Sequence, residues 1–414
     1  MKRILSLKNL SVFLFIGVLV ACATYQTKIA ESRRLIKEGQ VKAALEKLEP
    51  LAEKKSDDQL VYLMDYATAL QIDGQFKKSN DVFLQAEKLV DQNDYHSVSN
   101  IALATLGSES MIQYKGESYE KILINAYLAL NYLMLHEFDD AIVEVRKVND
   151  KINKIRQEAR KDYEQNPFAN YLGGLIWESD GRFDDAYISY SESYKIDATN
   201  GFLPEDLIRA AKKSRRLDDY QQWKKEFPQV KENPDWYDSK KGELVVVLQQ
   251  GWGPEKHPVP GNTSFPRLYP VNNMTNFTKL TVDGVGTFQS RMVYNLEKVV
   301  IKTLDDDVGW LIARKVGATA AKMIVADQVR QKTNPLLGDL AYIFMSASDQ
   351  ADLRQWSTLP KTFQLARVWL PTGDYKISLQ GMTGAGMPSG ERLDDVKISV
   401  RAGHKTFLSW RSLR

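Results

Sequence analysis

Residues 66–86 read Tyr66-Ala-Thr-Ala-Leu-Gln-Ile-Asp-Gly-Gln-Phe-Lys-Lys-Ser-Asn-Asp-Val-Phe-Leu-Gln-Ala86. Apolar residues recur here at helical spacing on both sides of Gly74, so the stretch predicts two helices joined by a tight turn. Ala67 and Ala86 are small enough to let the helices approach closely, while Phe76 and Phe83 fill the gap to a neighbouring pair. The pattern recurs along the first half of the chain. Leu35, Gly39, Val41, Ala44 and Leu48 repeat it upstream; Ala129, Tyr132, Phe138, Ala141 and Val145 repeat it downstream, followed by Gly174, Trp177, Gly181, Phe183, Ala186 and Tyr190.

Repetition of one helix pair is the signature of a solenoid, and small and aromatic residues in this order match the tetratricopeptide (TPR) repeat. The intervals of 35, 62 and 45 residues depart from the usual period of about 34. The array is therefore irregular, with extra helix or loop between residues 93 and 120 and a degenerate closing pair over 203–227. Stacked helix pairs present a concave face suited to peptides or helices of partner proteins. Polar and aromatic residues on the first helix of each pair, Asn125, Asn131, Asn170 and Tyr171, are the candidates to line it.

Composition agrees with a folded chain. The 414 residues are 43% hydrophobic and 26% charged, with a formal net charge of +3, which excludes a disordered or fibrous class. A single cysteine excludes an internal disulfide framework. Lys2, Arg3 and Lys8 precede the apolar run of residues 10–20; at about eleven residues it is shorter than the roughly 20 needed to span a bilayer as a helix. It reads as a signal peptide over 1–21. Leu19-Val20-Ala21-Cys22 resembles the bacterial lipobox, which places the only cysteine at the acylated first position of the mature chain. By the same resemblance, Ala23 rather than Asp after the cysteine implies the periplasmic side of the outer membrane, held there by acyl chains.

Removal of 1–21 leaves 53 basic and 53 acidic residues, so no case for nucleic acid survives. The charge is divided, however: residues 241–414 carry 22 basic against 15 acidic, and residues 22–240 carry 31 against 38. Opposite halves favour mutual docking or steering of partners.

The helical domain is expected over 22–227 and a linker over 228–242, marked by Pro228, Asn233-Pro234 and Gly242. An α+β domain with a mainly antiparallel sheet is expected over 243–414. Leu244-Val-Val-Val-Leu248 suits a strand buried on both faces. Residues 250–270, with five prolines, read as a lid or binding edge. Strands follow at 279–282, at 291–304 (ambiguous with helix), and in an antiparallel meander of 363–370, 375–379, 396–400 and 406–410. Helices are expected at 308–331 and 335–345.

Several stretches together are similar to one family. Tyr114-Lys-Gly-Glu-Ser-Tyr-Glu120, Tyr127-Leu-Ala-Leu-Asn-Tyr132, Asn166-Pro-Phe-Ala-Asn-Tyr171, and Arg354-Gln-Trp-Ser-Thr-Leu-Pro360 through Ala366-Arg367 and Leu370-Pro-Thr-Gly-Asp-Tyr375 resemble a Gram-negative family of TPR-containing outer-membrane lipoproteins. Its genes often lie near those of lipoproteins resembling penicillin-binding-protein activators. The resemblance implies work in the cell envelope and brings no activity, cofactor or catalytic residue.

Chemical motifs are weak. Ser118-x-x-Lys121 lacks the partner motifs of serine penicillin-recognising enzymes. His136-Glu137 lacks a second histidine and sits at a turn. Gly251-Trp-Gly253 is followed by Pro254, which offers no N–H to a phosphate. The Asp305–Asp307 run reads as a helix cap before a cation site. Arg354, Trp356 and Arg367 are residue types that dominate interaction surfaces. The leading expectation is a non-enzymatic adaptor with no cofactor or metal, binding envelope proteins or peptides. The alternatives are a glycan or peptidoglycan binder stacking sugars on Trp252, Trp356 and Tyr269, and a cell-wall hydrolase drawing on Asp327, Asp339 or Asp352.

Overall fold

The computed structural model describes residues 25–95, 113–159, 166–260, 262–305 and 351–414, with residues 323, 327, 328 and 331. The signal segment, Cys22, Asp306, Asp307, Asp339 and most of the two helices expected between 308 and 345 lie outside the described residues.

Among the described residues, ten α-helices of the first half form five hairpins in chain order: α1 (Tyr25–Lys37) with α2 (Val41–Glu53), α3 (Gln59–Ile72) with α4 (Phe76–Tyr95), α5 (Ser118–Met134) with α6 (Phe138–Ala159), α7 (Pro167–Ser179) with α8 (Phe183–Ile196), and α9 (Leu203–Lys213) with α10 (Leu217–Glu226). One backbone device makes all five turns. Two residues past the end of each first helix stands a residue with positive φ: Gly39, Gly74, His136, Gly181 and Arg215. Its N–H and the following N–H bond back to carbonyls three and five residues earlier, as in Gly74 N to Gln71 O (3.0 Å) and Gln75 N to Leu70 O (2.9 Å). This is the Schellman cap, which lets the chain reverse within three residues. Glycine adopts that conformation without strain; His136 and Arg215 adopt it at a cost, which is why the third and fifth turns carry no glycine signal.

Close approach within a hairpin depends on small residues. A Cβ on Gly174 would stand 2.4 Å from the Tyr190 ring, so only glycine lets α7 lie this near α8. First and second helices differ in character. Every residue of α7 is buried, and α3 is buried continuously from Leu60 to Gln71. A helix with no solvent-facing stripe must be covered on all sides.

The cover is the C-terminal half, a mixed β-sandwich. One sheet has the order β10 (Lys405–Arg411), β1 (Lys241–Gln250), β7 (Thr362–Pro371), β6 (Arg291–Asn295); the other has β5 (Gly286–Gln289), β4 (Phe277–Val282), β8 (Gly373–Met382), β9 (Pro388–Val400). Among the described residues, all pairings but one are antiparallel. The exception is β1 with β10, so the last four strands are not the single meander expected. Instead β7 and β8, joined through Thr372, lie in different sheets, and the chain crosses back after Val400 to run parallel to β1. Strand 291–295 continues as helix over 296–305, which resolves the ambiguity of that segment.

The proline-rich stretch expected as a loop holds a two-stranded ribbon, β2 (Glu255–Val259) and β3 (Asn262–Tyr269), with Pro258 opposite Pro266 beside a bulge. An isolated ribbon tolerates proline because each strand has a free edge.

Strand alternation divides the core in two. Leu244, Val246 and Leu248 of β1, with Ala366, Val368 and Leu370 of β7, pack against the second sheet. Val245 and Val247, with Phe363 and Leu365, join the same continuous core as the helices. Both faces of β1 are therefore apolar, one for the sandwich and one for the array.

Candidate functional site

The concave face of the array is filled by the chain's own β-sandwich. Its first helices α3, α5 and α7 face the sheet β10-β1-β7-β6, and residues 351–361 are wedged between them with hardly any regular structure. An aromatic chain crosses the boundary: Trp356 packs on Phe83 (5.6 Å) and Tyr127 (5.1 Å), and Phe363 stacks on Phe168 (4.0 Å).

Two carboxylates on first helices grip the wedge. Asp65 on α3 accepts from the Thr358 N–H (2.9 Å), the Thr358 hydroxyl (2.9 Å), the Ser357 hydroxyl (3.0 Å) and the Tyr25 hydroxyl (3.1 Å). Glu120 on α5 accepts from the Trp356 N–H (2.8 Å) and the Tyr114 hydroxyl (2.7 Å), and closes a capping box with Glu117. The Trp356 indole N–H donates to Thr68 (2.9 Å). Burial pushes the Asp65 carboxyl up to about 6, outweighing the bonds from Thr358 and Ser357. Burial, with the charge of Glu117, pushes Glu120 up to about 7.

At the other end of the groove lies a buried ionic network. Arg367 on β7 bonds Glu243 of β1 (2.7 Å), Asp206 of α9 (2.8 Å) and the Tyr171 hydroxyl (2.8 Å). Arg209 makes two 2.7 Å bonds to Glu178 of α7 and reaches Asp206 at 2.5 Å. Lys405 of β10 pairs with Glu243 and with Glu178 (3.2 Å). Three carboxylates thus meet three cations. Burial would raise the carboxyls, but Arg209 and Lys405 hold Glu178 well below the usual range. Arg367 does the same for Asp206 and Glu243, less strongly.

A polar bridge joins these ends. Tyr127 donates to Gln249 of β1 (2.9 Å), which donates to Gln71 (2.7 Å), which donates to Asn131 (2.6 Å).

The residues expected to line an open groove, and those expected at an interaction surface, are consequently inside. Asn131, Tyr171, Trp356 and Arg367 belong to the contacts just described. Arg354 is buried, with its guanidinium on Asp352 (2.7 Å) and Asp58 (3.2 Å). Asn125 lies between repeats, donating to Glu87 and Glu144 (2.6 Å each). Asn170 is buried on α7. Trp252 is 2% exposed and ringed by Arg33, Lys37 and Arg411, 5.1–5.5 Å from its centroid. Buried indoles are not sugar-stacking platforms, so Trp252 and Trp356 do not form the glycan surface expected of them. Asp352 is committed to Arg354, and Asp327 is exposed and bonded to Gln331 (2.8 Å). Sequence reasoning gave no role to Asp65, Glu178, Asp206, Arg209, Glu243 and Lys405, and met Glu120 only within a family-like stretch; Asp65, Glu120, Glu178 and Glu243 were signalled by charge inside largely apolar segments, whereas Asp206, Arg209 and Lys405 lie in segments with other polar residues and left no such trace. Among the described residues, no group of three His, Cys, Asp or Glu is placed to hold a metal.

No protein-family model matches the chain, and no curated protein matches it. Solved structures do. A kinesin-light-chain protein of nearly identical TPR-like repeats from Podosopora anserina is 15% identical over 49% of this chain and 93% of its own, with a TM-score of 0.34. MamA from Desulfovibrio magneticus RS-1 is 16% identical over 49% of this chain and 91% of its own, with a TM-score of 0.33. A further MamA structure is 11% identical, with coverages of 50% and 94% and a TM-score of 0.32. At these values nothing about function passes from them to this chain. The hairpin geometry itself marks the helical half as TPR-like, an architecture of protein-interaction scaffolds.

Proposed function

We propose that the protein is a non-enzymatic adaptor of the bacterial envelope, anchored through acylated Cys22 to the periplasmic side of the outer membrane. One observation carries the adaptor reading: the array already holds polypeptide in its groove, through Asp65 and Glu120 on the N–H groups of Thr358 and Trp356. The groove serves the chain's own sandwich, making array and sandwich one body, and external partners meet its outer surface. Val143 and Ile188 occupy the same place in successive repeats, seven residues past the turn residue, and are 45% and 46% exposed. They mark the convex side of two second helices as the surface to probe.

Photo-crosslinking side chains at Val143 and Ile188, in intact cells producing the lipidated chain, test this reading. Recovery of a defined set of envelope proteins, lost when Cys22→Ser abolishes the anchor, is the expected result. Recovery of glycan fragments alone, or of nothing above background, sinks it.

A further inference from the structure

Between the last two hairpins and the edge of the sandwich lies a cleft of about 200 Å³ that the domain contacts do not use. Its walls are aromatic: Phe183 at the start of α8, Trp236 and Tyr237 in the short 3-10 turn Pro234–Tyr237, and Trp369 on β7. Its floor is the ionic network, through Glu178 and Lys405. Lys213, the last residue of α9, projects into this setting with its ammonium 4.8 Å from the Phe183 ring centroid and 5.6 Å from that of Trp369.

Lys213 is the cation of the lining that no contact ion pair uses among the described residues. The network beneath it is balanced, with Glu178, Asp206 and Glu243 against Arg209, Arg367 and Lys405. Glu178, the network's carboxylate in the lining, already accepts from Arg209, Lys405 and Tyr190 and acts on Lys213 only across space. Lys241, at the rim, is paired with Asp235 (2.6 Å). Lys213 has no ion-pair or hydrogen-bond partner among the described residues, and burial lowers its pKa. An ammonium held over two rings, half out of water and without a contact ion pair, presents three unused donors.

We infer that this cleft binds a small monocarboxylate, its carboxylate on Lys213 and its body against the aromatic walls. Lys213 offers one unpaired ammonium, and Glu178 and Asp238 in the lining oppose a second negative charge, so a dianion such as phosphate fits less well. The volume lies below the roughly 300–1,000 Å³ of drug-sized pockets and suits one amino-acid or sugar unit. Such a carboxylate has two natural sources, the free end of a peptide or a sugar acid.

Isothermal titration of the purified chain with N-acetylalanine, glucuronate, N-acetylalaninamide and inorganic phosphate tests the inference, and separates it from the adaptor reading because no protein partner is involved. Lys213→Met and Lys213→Arg are compared with wild type, each checked by thermal melting; Lys213 supports no hydrogen bond, so both are expected to fold. At least one carboxylate should bind saturably. Its affinity should fall by roughly tenfold or more in Lys213→Met, as for loss of one charge-assisted bond, and be retained in Lys213→Arg. Tighter binding of N-acetylalanine than of its amide or glucuronate assigns the peptide source, and the reverse order of the two acids assigns the sugar acid. Equal binding by Lys213→Met and wild type, preference for phosphate, or no binding by either carboxylate overturns the inference.

Discussion

Arg367→Met probes how the array and the sandwich are held together. The side chain is 5% exposed and bonds Glu243 at 2.7 Å, Asp206 at 2.8 Å and the Tyr171 hydroxyl at 2.8 Å, with Phe202 5.0 Å from the guanidinium. Methionine preserves much of the packing and removes the charge. Three buried carboxylates then face two cations, and an uncompensated buried charge costs about 3–5 kcal/mol. Arg209 and Lys405 remain close to the orphaned groups, which places the expected loss in the lower half of that range. Against a total stability of about 5–15 kcal/mol, that is a large fraction. Urea denaturation followed by circular dichroism measures it. Glu243→Gln in the same chain removes one of the orphaned charges, so the double variant should lose less than the sum of the two single losses. A loss below about 1 kcal/mol for Arg367→Met, or strictly additive losses, would refute the network as the tie between the halves.

Stability should also depend on pH in two opposite ways. Asp65 and Glu120, pushed up to about 6 and about 7, bind protons in the native state at pH values where an unfolded carboxyl near 4 has lost them. Their contribution is therefore complete below about pH 4 and declines as pH climbs through 6 and 7. Glu178, Asp206 and Glu243 are shifted down, so theirs is complete above about pH 4 and is lost as pH falls further. Denaturation midpoints should rise from pH 8 to pH 5.5 and drop below pH 4, and Asp65→Asn with Glu120→Gln should flatten the first change; a flat wild-type profile contradicts the assignment. Trp356→Ala should cost about 3–5 kcal/mol, as for other buried large aromatics, and a loss under 1 kcal/mol by the same measurement would mean that the wedge is not packed. Gly174→Ala should destabilise by about 1–3 kcal/mol through overpacking on Tyr190, and an unchanged melting temperature would show that α7 and α8 can separate freely.

The repeats were legible because one pattern recurs around Gly39, Gly74 and Gly181. The third and fifth turns put His136 and Arg215 in the same backbone conformation; without glycine there, they were placed from the flanking pattern of apolar residues alone. β1 was legible from Leu244-Val-Val-Val-Leu248, and so was its burial on both faces. The ribbon at 255–269 was hidden by its prolines, and the parallel pairing of β10 with β1 leaves no local trace in either strand.

The candidate contact residues expose a more general ambiguity. Asn131, Tyr171, Trp356 and Arg367 were picked out by residue types suited to partner recognition, and recognition is what they do, toward the other half of the same chain. Side-chain chemistry does not say whether the partner is internal. The clue lies in burial: α3 from Leu60 to Gln71 and all of α7 have no solvent-facing side, so polar residues such as Asp65, Thr68 and Gln71 meet the rest of the chain and not an open groove.

The most direct test of a self-occupied groove is hydrogen–deuterium exchange at the amides of Trp356 and Thr358. Residues 351–361 lie largely outside helix and strand, so an undocked segment would exchange at free-peptide rates. With their N–H groups on Glu120 (2.8 Å) and Asp65 (2.9 Å), both amides should instead be protected as strongly as the cores of α3 and α5, and Asp65→Ala should release Thr358 first. Exchange of these two amides at free-peptide rates in the intact chain would contradict the account.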